Sequence, residues 1–150
     1  MIAVIAGSKS DSPVVDKVVS VLENFGVSYR IKYLSAHRTP KLLEEFIDEC
    51  EKGGVKVYIA VAGGAAHLPG VVASKTVKPV IGVPVKSEDL GGLDSLLSIV
   101  QMPNDIPVAT VGINRGKNAA ILAIEMLALD NKELSKKLKE FRSKLVGKYL

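Results

Sequence analysis

The chain contains few of the residues that build several common kinds of site. It has no tryptophan, one cysteine and two histidines among 150 residues, and aromatic residues make up 5% of the total. The lone Cys50 excludes an intrachain disulfide. Two histidines and one cysteine, without the close spacing of a zinc site, predict that no metal is bound.

Long apolar segments are also missing from the sequence. No uncharged run approaches the roughly 20 residues that a membrane helix needs. Met1 leads directly into the apolar residues 2–6, without the basic start of a signal peptide. We therefore expect a cytoplasmic protein without a membrane partner. The glycine patterns of dinucleotide-binding and ATP-binding loops are absent as well, which disfavours NAD and ATP as ligands.

The positive charge is concentrated near the carboxyl terminus. The net charge is +4, and residues 132–148 hold seven basic and two acidic side chains, so the rest of the chain is close to neutral. A basic helix can bind nucleic acid, but this one has almost no aromatic residues and no nucleic-acid-binding motif occurs elsewhere. We interpret it as a solvated helix face and expect no nucleic-acid partner.

Apolar runs and helical periodicity alternate from one end of the chain to the other. The predicted strands are residues 2–6, 28–34, 55–62, 80–83 and 108–111, and the predicted helices are residues 13–25, 40–52, 68–75, 94–100, 117–129 and 132–148. This alternation predicts an α/β three-layer sandwich with a five-stranded parallel sheet, flavodoxin-like or Rossmann-like, in the order 2-1-3-4-5. One domain should span residues 1–150, with a core over residues 1–129 and an extra carboxyl-terminal helix of about residues 132–148.

A polar loop, residues 7–11, follows the first predicted strand and precedes a helix. Backbone N–H groups at such a helix start point toward an anion. Ser8 and Ser10 offer hydroxyls to a phosphate, and Asp11 offers an acceptor to ribose hydroxyls. Capping of the helix by Asp11 and Ser12 is the alternative, but capping would explain only part of the loop.

A second polar loop, residues 35–40, follows the second predicted strand. Arg38 is suited to grip phosphate with two parallel hydrogen bonds, and the His37 imidazole can exchange a proton near neutral pH. Ligands of an open parallel sheet bind beyond the carboxyl ends of its strands, so both loops should share one site for a phosphorylated ligand. A hydrolase triad of Ser8, His37 and Asp11 is disfavoured because the sequence lacks the usual nucleophile turn.

A third loop, residues 63–70, consists mainly of small side chains and follows the third predicted strand. Small residues allow a flat ligand to approach the backbone closely. His67 in this loop either contacts the ligand or caps the next helix, and both roles stay open.

Four segments together resemble one family. They read GSKSD at residues 7–11, SAHRTP at 35–40, AGGAAHLPG at 62–70 and GLDSLLSIVQMP at 92–103. In this order they are similar to the N5-carboxyaminoimidazole ribonucleotide mutase family (PurE, class I), also described as the catalytic subunit of phosphoribosylaminoimidazole carboxylase. The similarity extends over about residues 2–129.

The resemblance implies an isomerase of purine and IMP biosynthesis that needs no metal, ATP or organic cofactor. Such a mutase moves a carboxyl group from the exocyclic nitrogen of its ribonucleotide substrate to ring carbon 4, through carbon dioxide kept inside the site. The resemblance assigns the proton transfer to His37. It assigns substrate binding to Ser8, Ser10, Asp11, Ser35 and Arg38 at the phosphate and ribose, and to Gly63, Gly64, Ala65, Ala66, His67 and Leu68 at the carboxylate pocket.

Two alternative functions stay open. A related class carboxylates aminoimidazole ribonucleotide with free carbon dioxide, although the loop at residues 63–70 favours the mutase. A non-catalytic, flavodoxin-like nucleotide-binding domain would explain the fold but not His37 and Arg38. The resemblance also implies a homo-octamer with sites built from several subunits. The run 119–129, with one charge in eleven residues, is consistent with burial at such an interface.

Overall fold

A parallel sheet with helices on both faces forms the protein, as given by a computed structural model that describes residues 1–147 and 149. Within these residues there are five strands and six α-helices. In chain order they are β1 (Ile2–Ala6), α1 (Ser12–Phe25), β2 (Tyr29–Tyr33), α2 (Pro40–Lys52), β3 (Val57–Gly63), α3 (Leu68–Ala73), β4 (Val80–Val85), α4 (Leu93–Val100), β5 (Ala109–Thr110), α5 (Gly116–Ala128) and α6 (Lys132–Val146). None of these helices is long and apolar enough to cross a membrane.

The strands lie in the order β2-β1-β3-β4-β5, and all four neighbouring pairs are parallel. The α/β class, the parallel sheet and the strand order predicted from the sequence are therefore confirmed. The predicted helix end at residue 148 lies outside the described residues.

Two apolar cores cover the two faces of the sheet. Alternate residues of a strand point to opposite faces, so Ile2 and Val4 of β1 pack with α1, α5 and α6, whereas Ala3 and Ile5 pack with α2, α3 and α4. Gly82 in the middle of β4 allows α4 to lie close to the sheet, because a Cβ there would overlap the Ile99 side chain. These layers match the predicted three-layer sandwich.

Several predicted boundaries move in the structure. Ser12 is the first residue of α1 rather than its cap, because a short 3₁₀ turn, Lys9–Asp11, precedes the helix and is capped by Ser8. Strand β4 continues through Pro84, which the sequence had suggested as the start of a loop. Strand β5 shortens to two residues.

Helix α5 finds its apolar neighbours within its own chain. Ala119, Ala120, Ala123 and Ile124 are buried in the core that α5 shares with α1 and α6. The apolar composition of residues 119–129 is therefore explained largely by internal packing, and it gives little reason to expect a subunit interface at this helix.

A polar cluster closes the sheet at its amino-terminal end. Glu51 accepts hydrogen bonds from the hydroxyls of Tyr58 at 2.7 Å and Thr76 at 2.9 Å, and its second oxygen lies 3.0 Å from the Lys78 ammonium. Burial and the neighbouring Glu51 raise the pKa of the Tyr58 hydroxyl far above its usual value. Desolvation raises the pKa of Glu51, but its three hydrogen bonds outweigh that effect and hold the pKa below normal.

Candidate active site

The loop after β1 is held in shape by its own side chains. Ser8 donates its backbone N–H to Asp11 Oδ2 at 3.0 Å, and its hydroxyl accepts the backbone N–H of Ser10 at 3.3 Å. The Ser10 hydroxyl donates to Ser8 Oγ at 2.9 Å. Asp11 is buried, and desolvation raises the pKa of its carboxyl group, although the Ser8 N–H partly opposes that shift. Capping therefore shapes this loop, and the two serine hydroxyls still line a cavity.

The loop after β2 is closed by hydrogen bonds between Ser35 and Thr39. The Thr39 hydroxyl accepts from the Ser35 N–H at 2.9 Å and donates to the Ser35 carbonyl at 3.0 Å. Ser35 Oγ also accepts the Arg38 backbone N–H at 3.2 Å. The Arg38 guanidinium donates to the Gly7 carbonyl at 3.4 Å, which ties this loop to the one after β1. These bonds leave the His37 and Arg38 side chains exposed at the carboxyl end of the sheet.

The two histidines of the chain meet across the end of β1. His37 Nε2 lies 2.8 Å from His67 Nδ1, and the ring centroids are 4.9 Å apart with the rings nearly perpendicular. His67 makes no side-chain cap for α3. Of the two roles left open for His67 by the sequence, capping is therefore wrong, and its imidazole instead contacts His37.

An open cavity of about 570 Å³ lies where these loops converge. Ten of the twelve residues predicted for the site line this cavity: Ser8, Ser10, Asp11, Ser35, His37, Arg38, Gly63, Ala65, His67 and Leu68. Gly64 and Ala66 do not line it. Gly64 occupies a turn with a positive φ of 62°, and Ala66 is buried in the core beneath the loop.

Five further residues line the cavity without having been predicted as site residues: Gly7, Ala36, Ala62, Val85 and Lys86. A signal for the last two was present, because ligands gather beyond the carboxyl ends of parallel strands. The sequence ended the fourth strand too early, at residue 83, and predicted a loop over the site in residues 84–106 without assigning any of them to ligand binding.

The cavity combines a strong hydrogen-bonding wall with an apolar one. Hydroxyls, a guanidinium and one carboxylate stand over β1 and β2, whereas small or apolar residues such as Ala65 and Leu68 stand beyond β3. This division suits a ligand with a phosphorylated sugar at one end and a small planar group at the other. Among the described residues, no group of three or more His, Cys, Asp or Glu side chains is placed to hold a metal ion.

The family model described as AIR carboxylase matches residues 1–148 of the chain. The chain belongs to the AIR carboxylase family. This confirms the family resemblance predicted from the four segments.

Named relatives of this AIR carboxylase family member agree along almost its whole length. It is 57% identical over 141 residues to the N5-carboxyaminoimidazole ribonucleotide mutase of Pyrococcus abyssi, which covers 94% of this chain and 81% of the relative. It is 56% identical over 148 residues to the protein of that name from Methanocaldococcus jannaschii, with coverage of 99% and 92%. The crystal structure of Treponema denticola PurE superposes with a TM-score of 0.91 at 31% identity, covering 99% of this chain and 92% of that one.

Proposed function

We propose that this protein is an N5-carboxyaminoimidazole ribonucleotide mutase, an isomerase of purine biosynthesis. The observation that carries the proposal is the placement of His37 and His67 in one cavity with the polar loop at residues 7–11, which is suited to bind phosphate. The chain is also more than half identical to proteins with that name. Its substrate is a charged ribonucleotide that does not cross membranes freely, which supports a cytoplasmic location.

The roles follow from the two walls of the cavity. Ser8, Ser10 and Arg38 bind the phosphate, because their hydroxyls and guanidinium are directed to the same region. Asp11 and Ser35 bind the ribose hydroxyls. Gly63, Ala65 and Leu68, in and beside the loop that follows β3, line the part of the cavity that receives the carboxyl group, and their small or apolar side chains offer few polar groups to hold water there.

The reaction requires one proton to move within the site. The carboxyl group leaves the exocyclic nitrogen as carbon dioxide, and that nitrogen gains a proton. Ring carbon 4 then forms a bond to the same carbon dioxide and loses its own proton. The net transfer runs from carbon to nitrogen, and His37 carries this proton because an imidazole accepts and donates at modest cost.

The contact between the two imidazoles supports this role for His37. A hydrogen bond of 2.8 Å joins His37 Nε2 to His67 Nδ1 and restrains the His37 ring beside the cavity. One of these nitrogens must carry a hydrogen and the other must not, so the contact links the tautomers of the two rings. His67 thereby orients the proton carrier as well as contributing to the pocket wall.

Two substrates separate the mutase from the direct carboxylase. We expect the purified protein to convert the N5-carbamate to 4-carboxyaminoimidazole ribonucleotide without added bicarbonate. Aminoimidazole ribonucleotide with bicarbonate should react far more slowly at matched concentrations. The reverse preference would identify a carboxylase, and binding without either conversion would identify a nucleotide-binding domain.

We further infer that copies of the chain assemble, most simply as the octamer implied by the resemblance. Leu93, Leu97 and Val100 of α4 lie at helical spacing on one face and are 47–54% exposed. We propose that a second copy of the chain covers this face. The segment 87–92 joins Lys86 at the cavity wall to the start of α4, so the second copy would lie beside the site.

Light scattering of Leu97→Glu beside wild type tests the assembly. A charge within an apolar contact should dissociate it. Leu129→Glu is the matched control, because Leu129 is 85% exposed and lies away from α4. A wild-type mass of 16.0 kDa in solution would refute the assembly.

A further inference from the structure

The backbone at the carboxyl end of β4 is held from two sides. Asn114 donates its N–H to the Pro84 carbonyl at 2.8 Å, and its side-chain Oδ1 accepts the Lys86 N–H at 2.9 Å. From the other side, the buried Ser95 hydroxyl contacts the Val85 carbonyl at 2.8 Å. The backbone of Lys86 is therefore held in place, whereas its side chain is exposed.

Two unusual backbone conformations accompany this arrangement. Asn114 has a positive φ of 59°, and Gly92 has a φ of 94°. A Cβ on Gly92 would lie 3.1 Å from the Lys86 Cα atom, so only glycine permits this close approach. Asparagine adopts this left-handed conformation more readily than most residues, so Asn114 can make both of its contacts to the end of β4.

Lys86 lines the cavity and brings an ammonium group to it. It is exposed, and it takes part in none of the ion pairs formed among residues 1–147 and 149. A lysine presented to a ligand cavity without an acidic partner in the described chain is suited to bind an anionic group of the ligand.

The sheet register decides which anionic group lies within reach. Val85 pairs with Gly63, so Lys86 lies level with the start of the small-residue loop after β3. The loops proposed to hold phosphate follow β1 and β2, two and three strand positions from β4. Those strands lie about 10 and 14 Å from β4, so the loop after β3 is the nearest of the three loops to Lys86.

We propose that Lys86 is a specificity-determining residue whose ammonium binds the carboxylate of the carboxylated ribonucleotide. The proposal rests on the mutase function proposed above. Substrate and product both carry this carboxylate, whereas aminoimidazole ribonucleotide does not. Lys86 thus distinguishes the ligands of a mutase from the uncarboxylated ligand of a direct carboxylase. Because the contact exists in both substrate and product, its loss should raise KM more than it lowers kcat.

Calorimetric titration with two ligands tests this role. The ligands are 4-carboxyaminoimidazole ribonucleotide and aminoimidazole ribonucleotide, and the variants are Lys86→Gln and Lys86→Arg. We expect Lys86→Gln to weaken binding of the carboxylated ligand by about 3–10-fold, as for a partly exposed charged contact. Binding of the uncarboxylated ligand should be unchanged, and Lys86→Arg should retain most of the preference. The KM for the carbamate should rise in parallel.

Lys117→Gln is the matched control for charge, since Lys117 is exposed near the start of α5 and does not line the cavity. An equal loss for both ligands in Lys86→Gln would place the ammonium at the phosphate and overturn the proposal. No loss for either ligand would also overturn it. If wild type binds neither ribonucleotide, the proposed mutase function fails first, and the two failures are thereby distinguished.

Discussion

Polar clusters lie at both ends of the parallel sheet. They differ in how many of their hydrogen-bonding groups are already used by contacts within the chain. At the amino-terminal end, Tyr58, Thr76 and Lys78 all bond to Glu51. At the carboxyl end, the His37 and Arg38 side chains are exposed at the cavity, and within residues 1–147 and 149 their hydrogen-bond partners are His67 and the Gly7 carbonyl. The first cluster joins elements of the fold, whereas the second keeps bonding capacity for a ligand.

This contrast gives each end its own experimental signature. Changes at the Glu51 cluster should alter the melting temperature and leave kcat and KM unchanged. Changes at the cavity should alter the reaction and leave stability nearly unchanged, because natural proteins retain polar groups at binding sites that do not optimise stability.

The largest effect is expected for His37→Asn. Asparagine keeps a hydrogen-bonding side chain but carries no proton at neutral pH, so turnover should fall by about 10²–10⁴-fold. The melting temperature should hold, because His37 is exposed. Steady-state kinetics, thermal melting and titration with aminoimidazole ribonucleotide check the three parts. Turnover above about a tenth of wild type would remove His37 from the role of proton carrier.

Arg38→Ala should chiefly weaken substrate binding. Hydrogen bonds to charged groups contribute about 1.5–3 kcal/mol, which corresponds to an increase in KM of about 10–100-fold. The phosphate is remote from the reacting carbon, so kcat at saturation should change less. Arg38→Lys should restore binding only partly, because lysine lacks the planar fork. Arg30→Ala is the matched control, since Arg30 pairs with Glu49 outside the cavity. An unchanged KM in Arg38→Ala would exclude the phosphate contact.

Glu51→Gln should lower stability without changing the kinetics. The amide keeps an acceptor but loses the charged contact to Lys78, which we expect to cost about 1–2 kcal/mol, or about 2–8 °C in melting temperature. Glu44→Gln is the control, because Glu44 forms an exposed pair with Lys75 and should have little effect. A variant with normal stability but altered KM would contradict the division between the two ends.

The same variant has a defined pH signature. The pKa of Glu51 lies below its ordinary value of 4.5 in the folded protein. Ionised Glu51 therefore stabilises the fold above that value, and this contribution is lost as the pH falls through the lowered pKa. The difference in melting temperature between wild type and Glu51→Gln should shrink below about pH 4.5. A difference that stays constant down to pH 3 would show that ionisation of Glu51 is not its source.

The smallest effect on stability is expected for Asp11→Asn. Burial raises the pKa of Asp11, so its ionised form costs stability at neutral pH, and that cost disappears as the pH falls toward the ordinary value of 3.8. Asparagine can still accept the Ser8 N–H. The melting temperature at pH 7 should stay constant or rise by about 1–2 °C, and ribonucleotide binding should weaken. A clear fall in melting temperature with normal binding would make Asp11 a purely structural residue.

The sheet and most of the cavity could be predicted because they depend on local patterns. Buried runs alternate with amphipathic helices, which predicts a parallel sheet. Each polar loop follows a strand, so the loops must lie together at the carboxyl ends of the strands. Pro84 misled the prediction because proline usually ends a strand. Here the Pro84 carbonyl accepts the Asn114 N–H, and Asn114 lies beyond the last residue of β5. Because β5 has already ended at this level of the sheet, the N–H that proline lacks is not needed for pairing with it.

The contact between His37 and His67 was beyond the reach of the sequence. The two residues lie 30 positions apart, in the loops that follow the two strands flanking β1. The order of the strands places their loops side by side, but the contact also depends on the turn at each loop and on the rotamer of each ring. Side-chain contacts of this kind follow from tertiary packing rather than from periodicity.

The margins of the sheet also limit how copies of the protein can approach one another. β5 has two residues, and β2, at the opposite margin, carries Arg30 and Lys32. Short strands and basic side chains at a margin discourage a foreign strand from pairing there. Growth of the sheet from one molecule into the next is therefore disfavoured, which protects a concentrated solution from forming fibrils. Molecules that associate should do so through their helices, where contacts can close into a finite assembly.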